Sequence, residues 1–512
     1  MSALLEALLE LGDKLAAHVL LAAAAIALGT AVALPLAVWA GRSPAASRWA
    51  LGFASLVQTV PALALLALFF PILLSLRSVL GEGLPTLGFL PALLALALYA
   101  LLPILRNAVT AQANLDPGVI EAADAIGMTK WQKLRLVEAP LAAPFVMAGI
   151  RTAAVWTIGA ATLATTIGQP SLGDPIFAGL QTQNWVLVLA GCLAAAGLAL
   201  ATDAMLAMIE RAFALRRRGL ALAGIAAVAL GLGVALAGQV MPAAGARPVV
   251  IGAKGFSEQY ILARLVGQRL QAAGYKVEYR DGLGSAIAHS AVSTGGIDVA
   301  VDYTGTLWTN QMKRADNPGR EAMYRAIVEW KRESGAARIF GRLGFENAYG
   351  LAMPRALAAR LDIRSIADLA AHADRLTIGG DPEWFERPEW AAVRTAYGLE
   401  FAAQRTFSPT FMYNALVAGD AQVISAYTSD GRIAADDLVI LADPEGALPS
   451  YDALIVLSPR ASRDARLQAA LRPLLGAIDV AAMREANYAV DRTAGKLSLG
   501  DAARLLARRA GL

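Results

Sequence analysis

DPGVIEAADAIGMTKWQKLRLVEAP, residues 116–140, is the longest polar run inside an otherwise lipid-compatible half of the chain, so it faces water. On a helical period Ile120, Ala123, Ile126 and Gly127 fall near one face while Glu121, Asp124 and Ala125 turn away, which predicts a short amphipathic helix. Gly127 breaks that helix, and a second, beginning over Trp131–Val137, is predicted to run to Pro140. Composition alone describes a helical hairpin in water between two membrane spans.

The flanks of the hairpin carry the membrane reading. A chain of 512 residues is too long for one ordinary domain, and 57% hydrophobic residues with a mean hydropathy of +0.50 is too apolar for a purely soluble one. Up to about residue 241 the sequence is a series of Leu/Ala/Val/Ile runs; from Arg247 onward charged residues recur every few positions. Crossing a bilayer core takes about 20 apolar residues, and six segments qualify, at about 17–39, 53–76, 88–109, 140–166, 185–208 and 220–240. Prolines at 35, 61, 71, 91, 103 and 144 lie in or beside them, tolerable where neighbouring helices satisfy the freed carbonyls. The loops holding Arg42 and Arg48, Arg106, Lys130, Lys133 and Arg135, and Arg211 and Arg216–Arg218 carry ten basic residues, against Lys14 and Arg77 on the other side. The positive-inside rule therefore places the 116–140 hairpin in the cytoplasm and both termini outside. Glu6, Glu10 and Asp13 before the first segment make it a permanent span rather than a secretion signal. Arg216–Arg218, an apolar run and Ala243-Ala244-Gly245-Ala246 have the order of a signal peptide, but the run is long for one, so an uncleaved tether is expected. Asp203 is the one charge singled out inside a span and reads as an interfacial cap near Glu210 and Arg211. So little intramembrane charge argues against a proton- or sodium-driven carrier.

In the second half, strand-like runs at 249–253, 276–280, 297–303, 375–380, 422–427, 438–443 and 453–458 alternate with helical stretches. That alternation predicts an α/β fold with largely parallel sheets. About 265 residues make two lobes, with chain crossings expected near 346–354 and 442–452, where Pro354, Pro444 and Pro449 cluster. Ligands of such folds bind in the cleft at the strand ends. The expected domains are a transmembrane part over 1–219, a sixth span and linker over 220–247, and an extracytoplasmic part over 248–512. Within the last, one lobe covers about 248–350 and 450–512 and the other about 351–449.

Glu121-Ala122-Ala123, Gly127 and Ala139-Pro140 resemble the cytoplasmic "EAA" loop of ABC-importer permeases. YALLPILRNAV at 99–109 and AGIRTAAVWTIGAATLATTIGQPSLGDPIFAGL at 148–180 are similar to the permeases of osmoprotectant importers of the glycine betaine/choline type, with IGQPSLG at 167–173 where the family often has IGAGGLG. In the second half GAKGFSEQYILARLVGQRL, VDYTGTLW, GFENAYGLAMP, FERPEWAAVRTAYGL, TFMYNAL, AYTSDGRI and LPSYDALIVLSP resemble, in order, the binding proteins of the same transporter class, VAVDYTGT replacing the common YPEYTGT. The resemblance implies a two-lobed binding protein fused to a permease bundle. It further implies a box of Tyr303, Tyr349, Tyr413 and Tyr427 around a trimethylammonium group, with polar contacts from Lys254, Thr306 and Arg387. Trp384 of DPEWFE is added as a possible pocket wall. Chemistry supports the carry-over: a quaternary ammonium cannot donate a hydrogen bond, so aromatic faces worth about 0.5–2 kcal/mol each must select it. A Lys or Arg opposite the box would favour a zwitterion over a simple cation through charge-assisted hydrogen bonds. Glycine betaine, choline, carnitine, proline betaine and ergothioneine all suit such a box.

The chain has no GxxxxGK[ST] loop to cradle a nucleotide, since Gly495-Lys496 lacks the preceding glycine and the following hydroxyl. His18, His289 and His372 are isolated and Cys192 is the single cysteine, so neither a zinc cluster nor an intrachain disulfide is expected. Ser257, Glu258 and His289 make no credible hydrolase triad without a GxSxG elbow. A net charge of +4 without a basic stripe gives no nucleic-acid face. The resemblance thus implies a non-enzymatic, cofactor-free importer subunit, homodimeric in the membrane, which recruits two copies of a separate ATPase through 117–140, Glu121, Ala122, Ala123, Gly127 and Pro140 being the coupling residues. The competing expectations are a membrane-anchored ligand sensor, which lacks a cytoplasmic output domain, and a secondary transporter with a capture domain.

Overall fold

Apolar runs cannot leave backbone N–H and C=O groups unpaired in lipid, so they fold as helices. The computed structural model describes residues 2–41, 43–81, 84–182, 184–215, 218–240, 247–492 and 494–512. Arg42, Arg216, Arg217 and the Ala243–Ala246 run lie outside these residues. The chain divides into two compact units, Met1–Ile176 with Val186–Gly245, and Phe177–Trp185 with Ala246–Leu512.

In the first unit, four helices among the described residues are long and apolar enough to cross a membrane: Gly12–Ala40, Phe89–Ala113, Lys130–Ile167 and Trp185–Ala212. The segment expected at 53–76 is not one rod. Pro44–Thr59 and Ala62–Arg77 meet at 99°, because the ring of Pro61 forces Val60 out of the helical region to φ −72°, ψ 126°. The last expected span is a helix over Arg218–Val240 whose qualifying apolar stretch, Leu222–Leu236, is shorter than the others. Small residues set the packing: a Cβ on Gly29 would stand 2.9 Å from the Ala97 carbonyl oxygen and 3.1 Å from the Ala100 Cβ, so the helices Gly12–Ala40 and Phe89–Ala113 approach through their backbones.

Two polar clusters in this unit were not foreseen. Asp203 is not an interfacial cap: with Glu210, seven residues further along the same helix, it receives Arg151 from Ala139–Ala161. Arg151 Nη2 donates to Asp203 Oδ2 at 2.8 Å and Nη1 to Glu210 Oε2 at 3.2 Å. Nor is His18 isolated. It is fully buried; Leu172 N–H donates to its Nδ1 at 3.2 Å, so Nε2 carries the proton and donates to the Ile158 carbonyl at 3.0 Å. That neutral ring ties the first span to the IGQPSLG segment, where the Ser171 hydroxyl and the carboxylate of the following Asp174 converge on Thr165 Oγ1 at 2.8 and 2.6 Å.

The 116–140 hairpin departs from expectation in two respects. Asp116 caps the helix Pro117–Ala125 at the Gly118 N–H (2.8 Å), and Gly127 turns the chain at φ +78°. Ala123 is the buried residue of that helix, whereas Ile126, expected on the packed face, caps its end and is 73% exposed. The following helix, started by a Thr129/Gln132 capping box at Lys130–Lys133, does not stop at Pro140. A π-helical turn over Leu134–Glu138 leads directly into Ala139–Ala161. The wider turn accommodates a residue that has no N–H to return to the preceding carbonyls.

The second unit is built on two five-stranded sheets that are mixed rather than largely parallel. One contains β1 (Val249–Lys254), β2 (Val277–Leu283), β3 (Val299–Tyr303), β4 (Arg338–Glu346) and β10 (Asp452–Leu457) in the order β2-β1-β3-β10-β4. The other contains β5 (Tyr349–Pro354), β6 (Thr377–Gly380), β7 (Ala403–Thr406), β8 (Val423–Tyr427) and β9 (Leu438–Ile440) in the order β7-β6-β8-β5-β9. In each, three strands run parallel through crossover helices, and a strand arriving from the other sheet, β10 or β5, then pairs antiparallel on both sides. The chain passes between the sheets at Asn347–Ala348 and again over 441–451.

Behind the first sheet lies Lys331, 2% exposed, whose polar neighbours are His289 Nε2 at 3.1 Å and Ser293 Oγ at 3.2 Å. Burial lowers its pKa from 10.5 to about 8. Between pH 8 and 10.5 the unfolded chain therefore holds a proton that the folded chain does not, and stability rises with pH across that window. Relative to Lys331→Met, the wild-type protein should gain up to about 3 kcal/mol on going from pH 7.5 to 10. Chemical denaturation of the two proteins at both pH values checks this; a constant difference contradicts it.

Candidate ligand site

Parallel strands end where their crossover helices begin, and side chains at those ends converge on the cleft between sheets. Lys254 closes β1, Tyr303 closes β3, Tyr427 closes β8 and Tyr349 opens β5. Tyr349 and Tyr427 are register partners in adjacent antiparallel strands, so their rings lie together, 5.1 Å apart at 42°. Tyr451, just before β10, meets Tyr349 edge-on at 5.7 Å. It comes that close because residue 305 is glycine: any Cβ there would strike the Tyr451 ring. Phe256 stacks near Tyr303 and Tyr427, each at 6.4 Å. These five rings, with Lys254, Thr306, Asn347, Asp381, Glu383 and Arg387, line a cavity of about 300 Å³.

Three of the phenol hydroxyls are already engaged by protein groups, which leaves ring faces for a ligand. Tyr303 donates to Glu258 Oε1 at 2.6 Å and accepts from Gln259 Nε2 at 2.9 Å. Tyr427 donates to Asp381 Oδ2 at 3.2 Å, and Tyr451 accepts from Arg387 Nη2 at 2.6 Å and donates to Glu389. Asp381 is fixed in turn by the Glu383 and Trp384 N–H groups at 2.9 and 3.0 Å. Burial pushes its carboxyl up, the backbone donors opposing.

Of the residues singled out from sequence, Tyr303, Tyr349, Tyr427, Lys254, Thr306 and Arg387 are brought to this one cavity. Tyr413 is not. On the helix Pro409–Ala418 it turns away from the cleft, fully buried among Met412, Leu416 and Ile424. Its hydroxyl accepts from the Tyr427 N–H at 3.5 Å and the Arg432 guanidinium covers its ring at 3.9 Å, so it backs Tyr427 rather than walling the cavity. Trp384 likewise backs the site, fully buried 4.8 Å behind Tyr349. Sequence reading missed Phe256, Tyr451 and Asp381; Tyr451 was visible in LPSYDALIVLSP and carried a signal in Gly305, a glycine with ordinary helical neighbours. Ser257, Glu258 and His289 go three ways, Ser257 to Asp491 (2.6 Å), Glu258 to Tyr303 and His289 to Lys331, which disposes of a hydrolase triad.

Neither cavity cation is free. Lys254 Nζ donates to Asp302 Oδ1 at 2.5 Å with both side chains buried. Arg387 donates to Glu389 at 3.2 and 2.8 Å, to Thr309 at 3.1 Å and to Glu383 at 2.6 Å. The lining thus combines aromatic faces, a carboxylate beside them and a guanidinium 5.2 Å from the Tyr349 ring centre.

Residues 247–504 match the family described as the substrate binding domain of ABC-type glycine betaine transport system, and residues 33–215 match the binding-protein-dependent transport system inner membrane component. The ergothioneine transport permease/ergothioneine binding protein EgtU of Helicobacter pylori (strain G27) is 30% identical over 437 residues, 82% of this chain and 76% of that one. The chain belongs to this family of fused permease and binding proteins of osmoprotectant-type ABC importers. The glycine betaine/carnitine/choline transport system permease protein OpuCB of Bacillus subtilis (strain 168) is 41% identical over 202 residues, 40% of this chain and 88% of that one. A crystal structure of a glycine betaine/carnitine/choline ABC transporter aligns with a TM-score of 0.47 at 26% identity, over 51% of this chain and 98% of that one. The fused importer subunit is accordingly a membrane protein and a transporter component rather than an enzyme.

With faces rather than hydroxyls presented to a ligand, Tyr303→Ala, Tyr427→Ala and Tyr451→Ala should each weaken binding of a trimethylammonium ligand by about 1–3 kcal/mol. Tyr413→Phe should leave affinity within about twofold, since the hydroxyl it removes meets the Tyr427 N–H and Asp430 behind the cage and not a ligand. Calorimetry on the purified full-length subunit separates the two groups.

Proposed function

We propose that this subunit imports a quaternary-ammonium zwitterion, the trimethylammonium end held by Tyr303, Tyr349, Tyr427 and Tyr451 beside Asp381, and the carboxylate end facing Arg387. The observation that carries this reading is the placement of Asp381 and Arg387 in one aromatic cavity, a carboxylate on the Tyr427 hydroxyl and a guanidinium beside the Tyr349 and Tyr451 rings. Glycine betaine is the zwitterionic candidate; choline, a quaternary cation without the carboxylate, would use the aromatic cage alone. Ergothioneine, a betaine with a ring attached, is supported as a second reading by the full-length relative and by a cavity with room beyond a methylated amine and a carboxylate.

The 248–512 domain works on the extracytoplasmic side and the 116–140 hairpin in the cytoplasm, a reading supported by the basic residues at span ends. Two copies of the chain form the pathway, and two copies of a separate ATPase engage the hairpins, with Glu121, Ala122, Ala123, Gly127 and Pro140 in the contact. Support comes from the hairpin surface, where Val119, Ile126, Trp131 (68% exposed) and Leu136 all stand exposed. Apolar side chains clustered on a short polar loop mark a surface built to be covered.

Three outcomes follow. Gly127→Asp, which puts a side chain at φ +78°, and Glu121→Lys should each abolish co-purification of an ATP-hydrolysing partner, whereas retained ATPase with lost transport would remove the hairpin from the contact. Arg387→Ala should weaken carboxylated betaines more than choline, and an equal loss for both would contradict its assigned role. A thermal-shift screen on the full-length subunit should rank the true ligand first, because bound ligand raises stability as RT ln(1 + [L]/Kd).

A further inference from the structure

The guanidinium of Arg387 is approached by two carboxylates of very different standing. Glu389 is buried at 2% side-chain exposure beside an Arg387 side chain exposed by 4%, and it takes both Nε and Nη2. With Thr309 and Tyr451 also on Nη2, that side of the guanidinium is filled. Nη1 is the remaining edge, and Glu383 Oε1 holds it at 2.6 Å. Glu383 lines the cavity yet is 52% exposed, and the same oxygen lies 3.4 Å from Asn310 Nδ2, contributed by the turn after β3 of the other lobe.

We propose that Glu383 is a resident competitor for the ligand's carboxylate and thereby a specificity-determining residue of the site. A ligand carboxylate reaches Arg387 at Nη1, where Glu383 already takes one of the two N–H groups; two carboxylates on one nitrogen repel, so the ligand drives the Glu383 carboxylate toward solvent. Displacing Glu389 instead would strand a buried charge, a far larger cost. A half-exposed ion pair on one short helix is weak enough to be exchanged. Lys254 offers no alternative, because its partner Asp302 is buried with it. A simple cation such as choline does not touch Nη1 and leaves Glu383 in place. The side chain therefore handicaps zwitterions against cations of similar size and keeps one more negative group in the cavity when the occupant is a net cation.

This proposal rests on the reading that Arg387 meets a ligand carboxylate. Calorimetry with glycine betaine and choline on full-length wild type, Glu383→Gln, Glu383→Asp and Arg387→Ala separates the two. Glu383→Gln and the shorter Glu383→Asp should tighten glycine betaine about two- to fivefold, the worth of an exposed ion pair, with choline unchanged or weaker. Unchanged or weaker glycine betaine in both variants, or equal tightening of choline, overturns the proposal. If Arg387→Ala harms both ligands equally, the carboxylate reading fails first; if it is selective for glycine betaine while the Glu383 variants are silent, the competitor alone is wrong. The melting temperature of each apo variant shows that it is folded.

Discussion

Glu258 is the constraint on which the binding unit turns. Its fully buried carboxylate accepts from Tyr303 Oη at 2.6 Å, Asn347 Nδ2 at 3.1 Å, Ser429 Oγ at 2.5 Å and Asn487 Nδ2 at 3.1 Å. The four donors come from the end of β3, the first crossing between sheets, the turn after β8, and the helix Val480–Asp491. Burial pushes the carboxyl up and the four hydrogen bonds pull it back. A buried acceptor of this kind is costly unless every donor is present, so the carboxylate selects one mutual position for elements that are distant in sequence. Tyr303 gains its orientation from this contact, and the residues adjoining Tyr349 and Tyr427 are held by the same two oxygens. The aromatic cavity is thus assembled around a polar core, not by stacking of rings alone.

Much of this was legible in sequence because the signals are local. The switch from apolar runs to dispersed charge near residue 241 separates the two units, and alternating strand and helix patterns predict two α/β lobes. Tyr303 and Tyr427 end strands, where a run of β-forming residues gives way to Thr-Gly or Thr-Ser, and Tyr349 opens one after Asn-Ala, so their motifs mark the cleft directly. Tyr413 had a similar motif but lies on a helix, and which face of a helix meets the cleft depends on the sheet behind it. Mixed strand direction was invisible for a related reason: β10 pairs with β3 and β4 across about 110 to 150 residues, and no local pattern records the sense of such a pairing.

In the membrane unit the illegible features are the ones made by partners far apart. Arg151 and Asp203 are separated by 52 positions and His18 and Leu172 by 154, so each looked like a solitary polar residue. Proline gave a mixed signal. Pro61 bends the chain through 99°, Pro35 and Pro103 are carried inside continuous helices, and Pro140 is absorbed by a π-helical turn. What decides is whether neighbouring carbonyls find other donors, a property of the packed bundle and not of the tripeptide.

One polypeptide supplies both the capture domain and the conduit, and translation therefore locks their ratio at unity. Receptor made from this chain therefore never outnumbers the conduit made with it. For receptor of this origin, capacity scales with the number of subunits made and with how soon each one empties.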